Sequence, residues 1–402
     1  MKVTINRSVA KGRITAPPSK SILHRYIICA SLSEGQSIID NVDLSKDIEA
    51  SIKCARSLGA RIEITDKKMT VSGIDPKMIT GPVRFDCNES GSTMRFFMGI
   101  AMGLGCDSLF YGSDTLLQRP MGIYEDICRE QEILFERHSD HIRIFGKLKP
   151  GTFDVPGNIS SQFITGLMFA LPMLDNESLI RILPPVESRS YIDLTLDALA
   201  KFGIDVISGR DEEYRISGGQ RYLSTDTIAE GDQSNAAFLD AFNLFGGEVM
   251  VEGLRTDSLQ GDRVYTDLFE KLKGKDACID ISDCPDLGPI LMGTAALKNG
   301  AVFTGTKRLK IKESDRGSVM CRELAKMGVR TKMEEDRITV FKSDLHAPDA
   351  DIDSHNDHRI AMTFSVLLSV MGGTISGAEA VRKSYPGFYD DISSLGIKII
   401  RD

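Results

Sequence analysis

The chain has 402 residues, with 49 Lys or Arg against 57 Asp or Glu and a net charge of -8. That length exceeds what one ordinary core fills, so two domains are expected. The acidic balance, with no long basic run, excludes a general nucleic-acid binder and confines any anion site to a local basic pocket.

In chain order, Met1-Lys2-Val3-Thr4-Ile5 reads as a strand and lacks the apolar stretch of a secretion signal. Next comes Ala16-Pro17-Pro18-Ser19-Lys20-Ser21-Ile22-Leu23-His24-Arg25. The prolines stiffen the approach, and Ser19 is expected to accept a hydrogen bond from the first amides of a helix. Lys20, Ser21 and Arg25 then place two cations beside open N–H groups at a helix start, where anions bind well. A capped helix with a solvated basic turn has the same residues.

A unit of polar start, apolar helix, short turn and strand recurs six times. Its starts are Ser19, Ser90-Gly91-Ser92-Thr93, Ser160-Ser161-Gln162, Asp232-Gln233-Ser234, Pro285-Asp286 and Asn356-Asp357-His358-Arg359. Several units continue into a second helix ending in an apolar-Gly pair, as at Leu58-Gly59, Phe202-Gly203, Met327-Gly328 and Leu395-Gly396. Gly caps such a helix, and the alternation beyond it marks half-buried strands. The fold class is therefore α/β, built from six βαβαββ units, three per domain. One domain is expected over 14–221, and a discontinuous second over 1–13 with 222–402. Hinges are expected near 12–14 and 220–225, a pairing that permits domain closure.

The densest ionic segment is Arg308-Leu309-Lys310-Ile311-Lys312-Glu313-Ser314-Asp315-Arg316. Its alternation places Lys310 and Lys312 on one face of a strand. The eight cysteines form no CxxC pair and read as buried free thiols of a reducing cytosol. His138 with His141, and His355 with His358, lack the further ligands of a metal site. Phosphate loops of the GxxxxGK[ST] type, GxGxxG turns and a GxSxG elbow are absent. Apolar runs near 96–104 and 361–371 fall short of the roughly 18 residues of a membrane span.

Taken together, Pro18-Ser19-Lys20-Ser21-x-x-x-Arg25, Glu89-Ser90-Gly91-Ser92-Thr93-Met94-Arg95, Arg119-Pro120, Ser160-Ser161-Gln162, Lys312-Glu313-Ser314-Asp315-Arg316, Asn356-Asp357-His358-Arg359 and Lys383-x-x-Pro386 resemble the 5-enolpyruvylshikimate-3-phosphate synthase family, in family order across the chain. The resemblance implies a two-domain, inside-out α/β barrel. It implies transfer of the enolpyruvyl group from phosphoenolpyruvate to the 5-hydroxyl of shikimate 3-phosphate, by addition and elimination, on the route to chorismate and the aromatic amino acids. Matched position by position, Lys20, Ser21, Arg25, Ser160, Ser161, Gln162, Ser188, Asp286 and Lys312 would hold shikimate 3-phosphate. Lys20, Gly91, Arg119, Gln162, Arg316, Arg359 and Lys383 would hold phosphoenolpyruvate. Asp286 would act as base, with Glu313 and Lys20 as proton donors. The resemblance implies no metal and no organic cofactor, a cytoplasmic monomer, and no nucleic-acid or membrane partner. Glu89 and Arg308 stand where members often carry Asn, and Phe96 where some carry Pro. Two alternatives remain open: a UDP-N-acetylglucosamine enolpyruvyl transferase, which shares the six units, and a non-catalytic relative that only binds anions.

Overall fold

A computed structural model describes residues 1–74, 79, 81–210 and 212–402. The chain divides into two compact units, Pro18–Glu230 on one side and Met1–Pro17 with Gly231–Asp402 on the other. The boundaries thus lie at 17/18 and 230/231 rather than at 13/14 and 221/222. Strand pairing is the reason. Lys11–Thr15 runs parallel to Glu248–Glu252, while Thr227–Ile228 runs parallel to Gln36–Asp40. Each of the two short strands therefore falls in the unit of the strand it pairs with.

The unit Pro18–Glu230 contains helices α1 (Lys20–Leu32), α2 (Lys46–Ser57), α3 (Gly91–Leu104), α4 (Asp114–Leu117), α5 (Gly122–Glu130), α6 (Ser161–Ala170) and α7 (Arg189–Lys201). Three four-stranded sheets share one plan: two parallel strands joined to an antiparallel hairpin. In one of them Thr152–Pro156 lies parallel to Ser178–Leu183, which is antiparallel to Glu213–Ile216, itself paired with Val206–Ser208. Helices α1, α3 and α6 are apolar almost all round and are buried, whereas α2, α5 and α7 are amphipathic and shield them. Small residues let α3 and α6 meet backbone to backbone. A Cβ at Gly99 would lie 2.3 Å from the Gly166 carbonyl oxygen, and one at Gly103 would lie 2.9 Å from the Ala170 Cβ.

The other unit holds α8 (Gln233–Asp240), α9 (Tyr265–Lys273), α10 (Gly288–Leu297), α11 (Arg316–Ala325), α12 (His358–Met371) and α13 (Phe388–Ser394). Ala277–Asp280, Gly300–Thr304, Arg337–Phe341 and Thr331–Met333 repeat the four-stranded plan. In the last sheet, Ile352–Asp353 and Gly373–Ser376 are parallel, and Lys2–Asn6 lies antiparallel between Gly373–Ser376 and Lys398–Arg401. The N-terminal strand thus supplies the position that a hairpin fills elsewhere. The fourth repeat departs from the expected βαβαββ plan: among the described residues its sheet has only the pair Lys11–Thr15 and Glu248–Glu252. α9 ends at Lys273, and Ala277 already begins a strand of the next sheet, so no length remains for a hairpin.

The basic stretch near 310 is also not a strand. Lys307–Ile311 forms a 3₁₀ turn that follows left-handed Gly305 and buries Leu309 while exposing Lys310. Side-chain period 3 replaces period 2 there, so Lys310 and Lys312 do not share a strand face. Among the cysteines, Cys278 is exposed and Cys321 half-buried, in contrast to the six buried ones.

Candidate active site

In the unit Pro18–Glu230 the polar residues at the starts of α1, α2, α3 and α6 form a connected set. Lys20, in the first turn of α1, donates to Asp47 Oδ2 at 2.8 Å. Asp47 stands in the first turn of α2, which Ser45 caps. The Thr93 hydroxyl reaches the Asp47 carbonyl at 3.4 Å and the Ser90 hydroxyl at 2.8 Å. Behind them, His24 Nδ1 shares a hydrogen with Ser51 at 2.7 Å, and Ser51 meets Thr93 at 2.8 Å. Burial, reinforced by Lys20 and Arg25, holds His24 well below the usual imidazole range, so the ring is neutral at pH 7. Ser19 corrects an expectation: it precedes α1, but its hydroxyl makes no capping bond and is buried without a partner. Its backbone carries the connection instead, its N–H donating to Glu230 O at 2.8 Å and its carbonyl accepting from Leu23.

The starts of α3 and α6 join through Gln162. Its amide donates to Ser92 Oγ at 2.8 Å and accepts from Arg95 Nη1 at 2.6 Å. Gly91 leaves room for a guanidinium, since a Cβ there would lie 2.7 Å from Arg119 Nη1. Ser160 caps α6, accepting from Gln162 N at 3.3 Å, with Ser161 buried beside it. Arg25 is engaged by protein: its guanidinium donates to Thr195 Oγ1, Ser21 O and Tyr191 O at 2.9, 2.7 and 2.7 Å. Burial brings its pKa down to about 10, still cationic at pH 7. Ser188, buried and left-handed, precedes the α7 that carries Tyr191 and Thr195.

The second cluster is built wholly from the other unit. Arg316, the first residue of α11, is only 1% exposed and meets three carboxylates. Its Nε donates to Asp357 Oδ2 at 2.8 Å, Nη1 to Asp286 Oδ1 at 2.7 Å and Nη2 to Glu313 Oε2 at 2.6 Å. Lys312 Nζ reaches the same Asp286 oxygen at 3.1 Å. Burial acts to raise the Asp286 pKa, but Lys312, Arg316 and Arg359 outweigh it and hold the carboxyl well below the ordinary range. Asp357 caps α12, accepting from Arg359 N at 2.9 Å, after two consecutive left-handed residues, His355 and Asn356. Lys383 Nζ donates to Asn356 O at 2.5 Å. His355 Nε2 meets Glu323 Oε1 at 3.0 Å. Among the described residues no group of three or more His, Cys, Asp or Glu is placed to hold a metal.

Arg359 differs from Arg316. It is 3% exposed, yet Nε and Nη1 are buried without a hydrogen-bond partner. Nη2 lies 3.8 Å from Asp286 Oδ2, beyond hydrogen-bond range, and the guanidinium carbon sits 5.5 Å from the Phe238 ring centre. Buried guanidinium donors are nearly always satisfied, and their preferred partner is a carboxylate or phosphate.

Each predicted site residue thus joins one of two groups: Lys20, Ser21, Arg25, Gly91, Arg119, Ser160, Ser161, Gln162 and Ser188 in one unit, and Asp286, Lys312, Glu313, Arg316, Arg359 and Lys383 in the other. Sequence reading gave no part to Asp47, Arg95 or Asp357, which the structure joins to these groups through Lys20, Gln162 and Arg316. Asp47 had a local signal, an acid in the first turn of a helix that Ser45 caps. Asp357 stood inside a quoted motif without a role.

Such a frame, with cations gathered at helix starts in both units, defines a protein that handles small, multiply charged anions. The sequence model of EPSP synthase (3-phosphoshikimate 1-carboxyvinyltransferase) matches residues 6–392. The chain belongs to that family. The 3-phosphoshikimate 1-carboxyvinyltransferase of Clostridium kluyveri is 40% identical over 419 residues, covering 99% of this chain and 98% of the relative. The one from Clostridium acetobutylicum is 40% identical, covering 98% and 97%. A solved EPSP synthase from Acinetobacter baumannii shares the fold, with a TM-score of 0.79 at 24% identity and both chains covered in full.

Proposed function

We propose that this protein transfers the enolpyruvyl group of phosphoenolpyruvate to the 5-hydroxyl of shikimate 3-phosphate and releases phosphate. The observation that carries the reading is Arg359, a buried guanidinium with two N–H-bearing nitrogens that no protein group satisfies. A substrate carboxylate fits that fork. The family resemblance assigns phosphoenolpyruvate also to Arg316 and Lys383 of the same cluster, and to Lys20, Gly91, Arg119 and Gln162. Lys20, Ser21, Arg25, Ser160, Ser161, Gln162, Ser188, Asp286 and Lys312 are assigned to shikimate 3-phosphate.

Addition needs a base for the 5-hydroxyl proton and an acid for the methylene carbon, and elimination of phosphate needs transfers in the opposite sense. Asp286 is the base. Its three cationic neighbours keep it ionised, the form a base needs, but also make it a weak one. Substrate anions that engage Arg359 and Lys312 reduce their pull on Asp286 and raise its basicity when the hydroxyl arrives. Glu313 and Lys20 supply and relay the other protons. The reading assigns no step to a metal or organic cofactor, so an added chelator should leave the rate unchanged.

Phosphate release with both substrates present tests the reaction. Well-folded protein without release above background refutes it. Asp286→Asn should lower kcat by about 10²-fold or more while substrate affinity stays within about tenfold. Unchanged turnover removes Asp286 from the mechanism.

A further inference from the structure

Asp262 is a carboxyl that the reaction above does not use. It sits in the turn Gly261–Val264, is 5% exposed, and accepts a hydrogen bond from the Ser234 hydroxyl at the start of α8. Its other oxygen, Oδ1, is buried without a partner. The turn is pinned. Gln260 Oε1 accepts from Gln233 N at 3.1 Å, and Gln260 Nε2 donates to Gly231 O at 2.8 Å. The groups that act on Asp262 come from each neighbouring element: Asp232 at the start of α8, Cys284 and Asp286 ahead of α10, Lys312 ahead of α11, and Arg359 at the start of α12.

A buried carboxylate oxygen with no donor is costly, and a proton of its own relieves that cost. Asp286 and Asp232 add like charge that opposes ionisation of Asp262, so the cluster gains further by keeping one of the three neutral. We propose that Asp262 is a positioning residue of the anion site: protonated, it leaves Arg359 its full charge for an incoming anion, and ionised, it draws on Arg359 and weakens that site. Burial, then Asp286 and Asp232, push the Asp262 carboxyl up to about 7, against the opposing pull of Arg359 and Lys312. The change therefore falls near neutral pH, with the protonated form favoured below it.

The inference rests on Arg359 being an anion site, and the test separates the two. Binding of oxalate, a dianion throughout the range, is measured by calorimetry on the full chain from about pH 6 to about pH 8.5. Wild-type affinity should fall about tenfold as pH rises, the scale of one added charge nearby. In Asp262→Asn the affinity should stay level, within about twofold. A decline that persists unchanged in Asp262→Asn assigns it to another group and overturns the inference, as does a level wild-type profile. Absence of oxalate binding at every pH withdraws Arg359 as an anion site, and the inference falls with it. Should Asp262→Asn not fold, Ser234→Ala removes a donor to the ionised form, so the midpoint of the decline should move to higher pH. A midpoint that stays put or moves down overturns the inference.

Discussion

Arg316 and Arg359 lie in one cluster and differ in how far protein groups already engage them. Arg316 is saturated by Asp286, Glu313 and Asp357, so it holds the starts of α11 and α12 and the turn before α10 together. Arg316→Ala leaves Asp357, itself fully buried, without its cation, and should cost about 3–5 kcal/mol in urea unfolding. Arg359→Ala removes a buried charge with no hydrogen-bonded side-chain partner. It should leave stability within about 1 kcal/mol and raise KM for phosphoenolpyruvate instead. A loss of stability as large as that of Arg316→Ala would show that Arg359 serves the fold rather than an anion. Asp286 adds a pH signature. Its folded-state pKa lies well below the ordinary 3.8, so its stabilisation is present above that value and is lost as pH falls towards the folded one. Acid unfolding followed by circular dichroism should therefore be shallower below about pH 4 in Asp286→Asn than in the wild type. At this scale the sequence was informative about residue types and poor about pairing. Lys20 and Arg359 were identifiable from their motifs, but Asp47 and Asp262 are brought in by other helices, and nothing within a few residues of either motif announces them.

The apolar helices and their polar starts were legible because the same arrangement recurs along the chain and each start pairs capping residues with an apolar run. What hid the rest was competition between local and tertiary preferences. Lys310-Ile311-Lys312 alternates like a strand, yet the burial of Leu309 next to it winds the segment into a 3₁₀ turn, which brings Lys312 to Asp286. Ser19 has the sequence of a cap, yet its N–H is taken by Glu230 and its hydroxyl faces no helix amide. The α3–α6 crossing was not foreseen, because nothing local shows which helix Gly99, Gly103 and Gly166 will face. A Cβ at Gly166 would lie 2.0 Å from the Tyr124 hydroxyl oxygen and 2.7 Å from Arg95 O. Gly166→Ala should therefore destabilise by about 1–3 kcal/mol despite its better helix propensity. Because Arg95 donates to Gln162, it should also raise KM for phosphoenolpyruvate; a thermal melt and a KM measurement check both.

For the whole molecule, two domains followed from length and six units from the repeat, but the boundary could not be read locally, since pairings such as Thr227 with Ile39 join segments remote in sequence. The segment 222–230 is bound into the unit Pro18–Glu230: Tyr222 and Ala229 are buried, Asn41 donates to Ala229 O at 2.7 Å, and Asp226 accepts from Ile38 N at 2.9 Å. A fragment of residues 18–230 should fold cooperatively on its own, whereas one of residues 14–221 should be less stable by about 2 kcal/mol or more, having lost these contacts. Equal urea midpoints would show that the segment contributes nothing to the unit.

The strand Lys2–Asn6 has a consequence in time. It is the first piece of its sheet to leave the ribosome, and its partners, Gly373–Ser376 and Lys398–Arg401, are among the last. The unit Pro18–Glu230 is complete in sequence once residue 230 has emerged, so it can form while synthesis continues. The earliest strand stays unpaired in that sheet until residues 373–401 have emerged, and the unit that carries Asp286 and Arg359 is the later of the two to become competent.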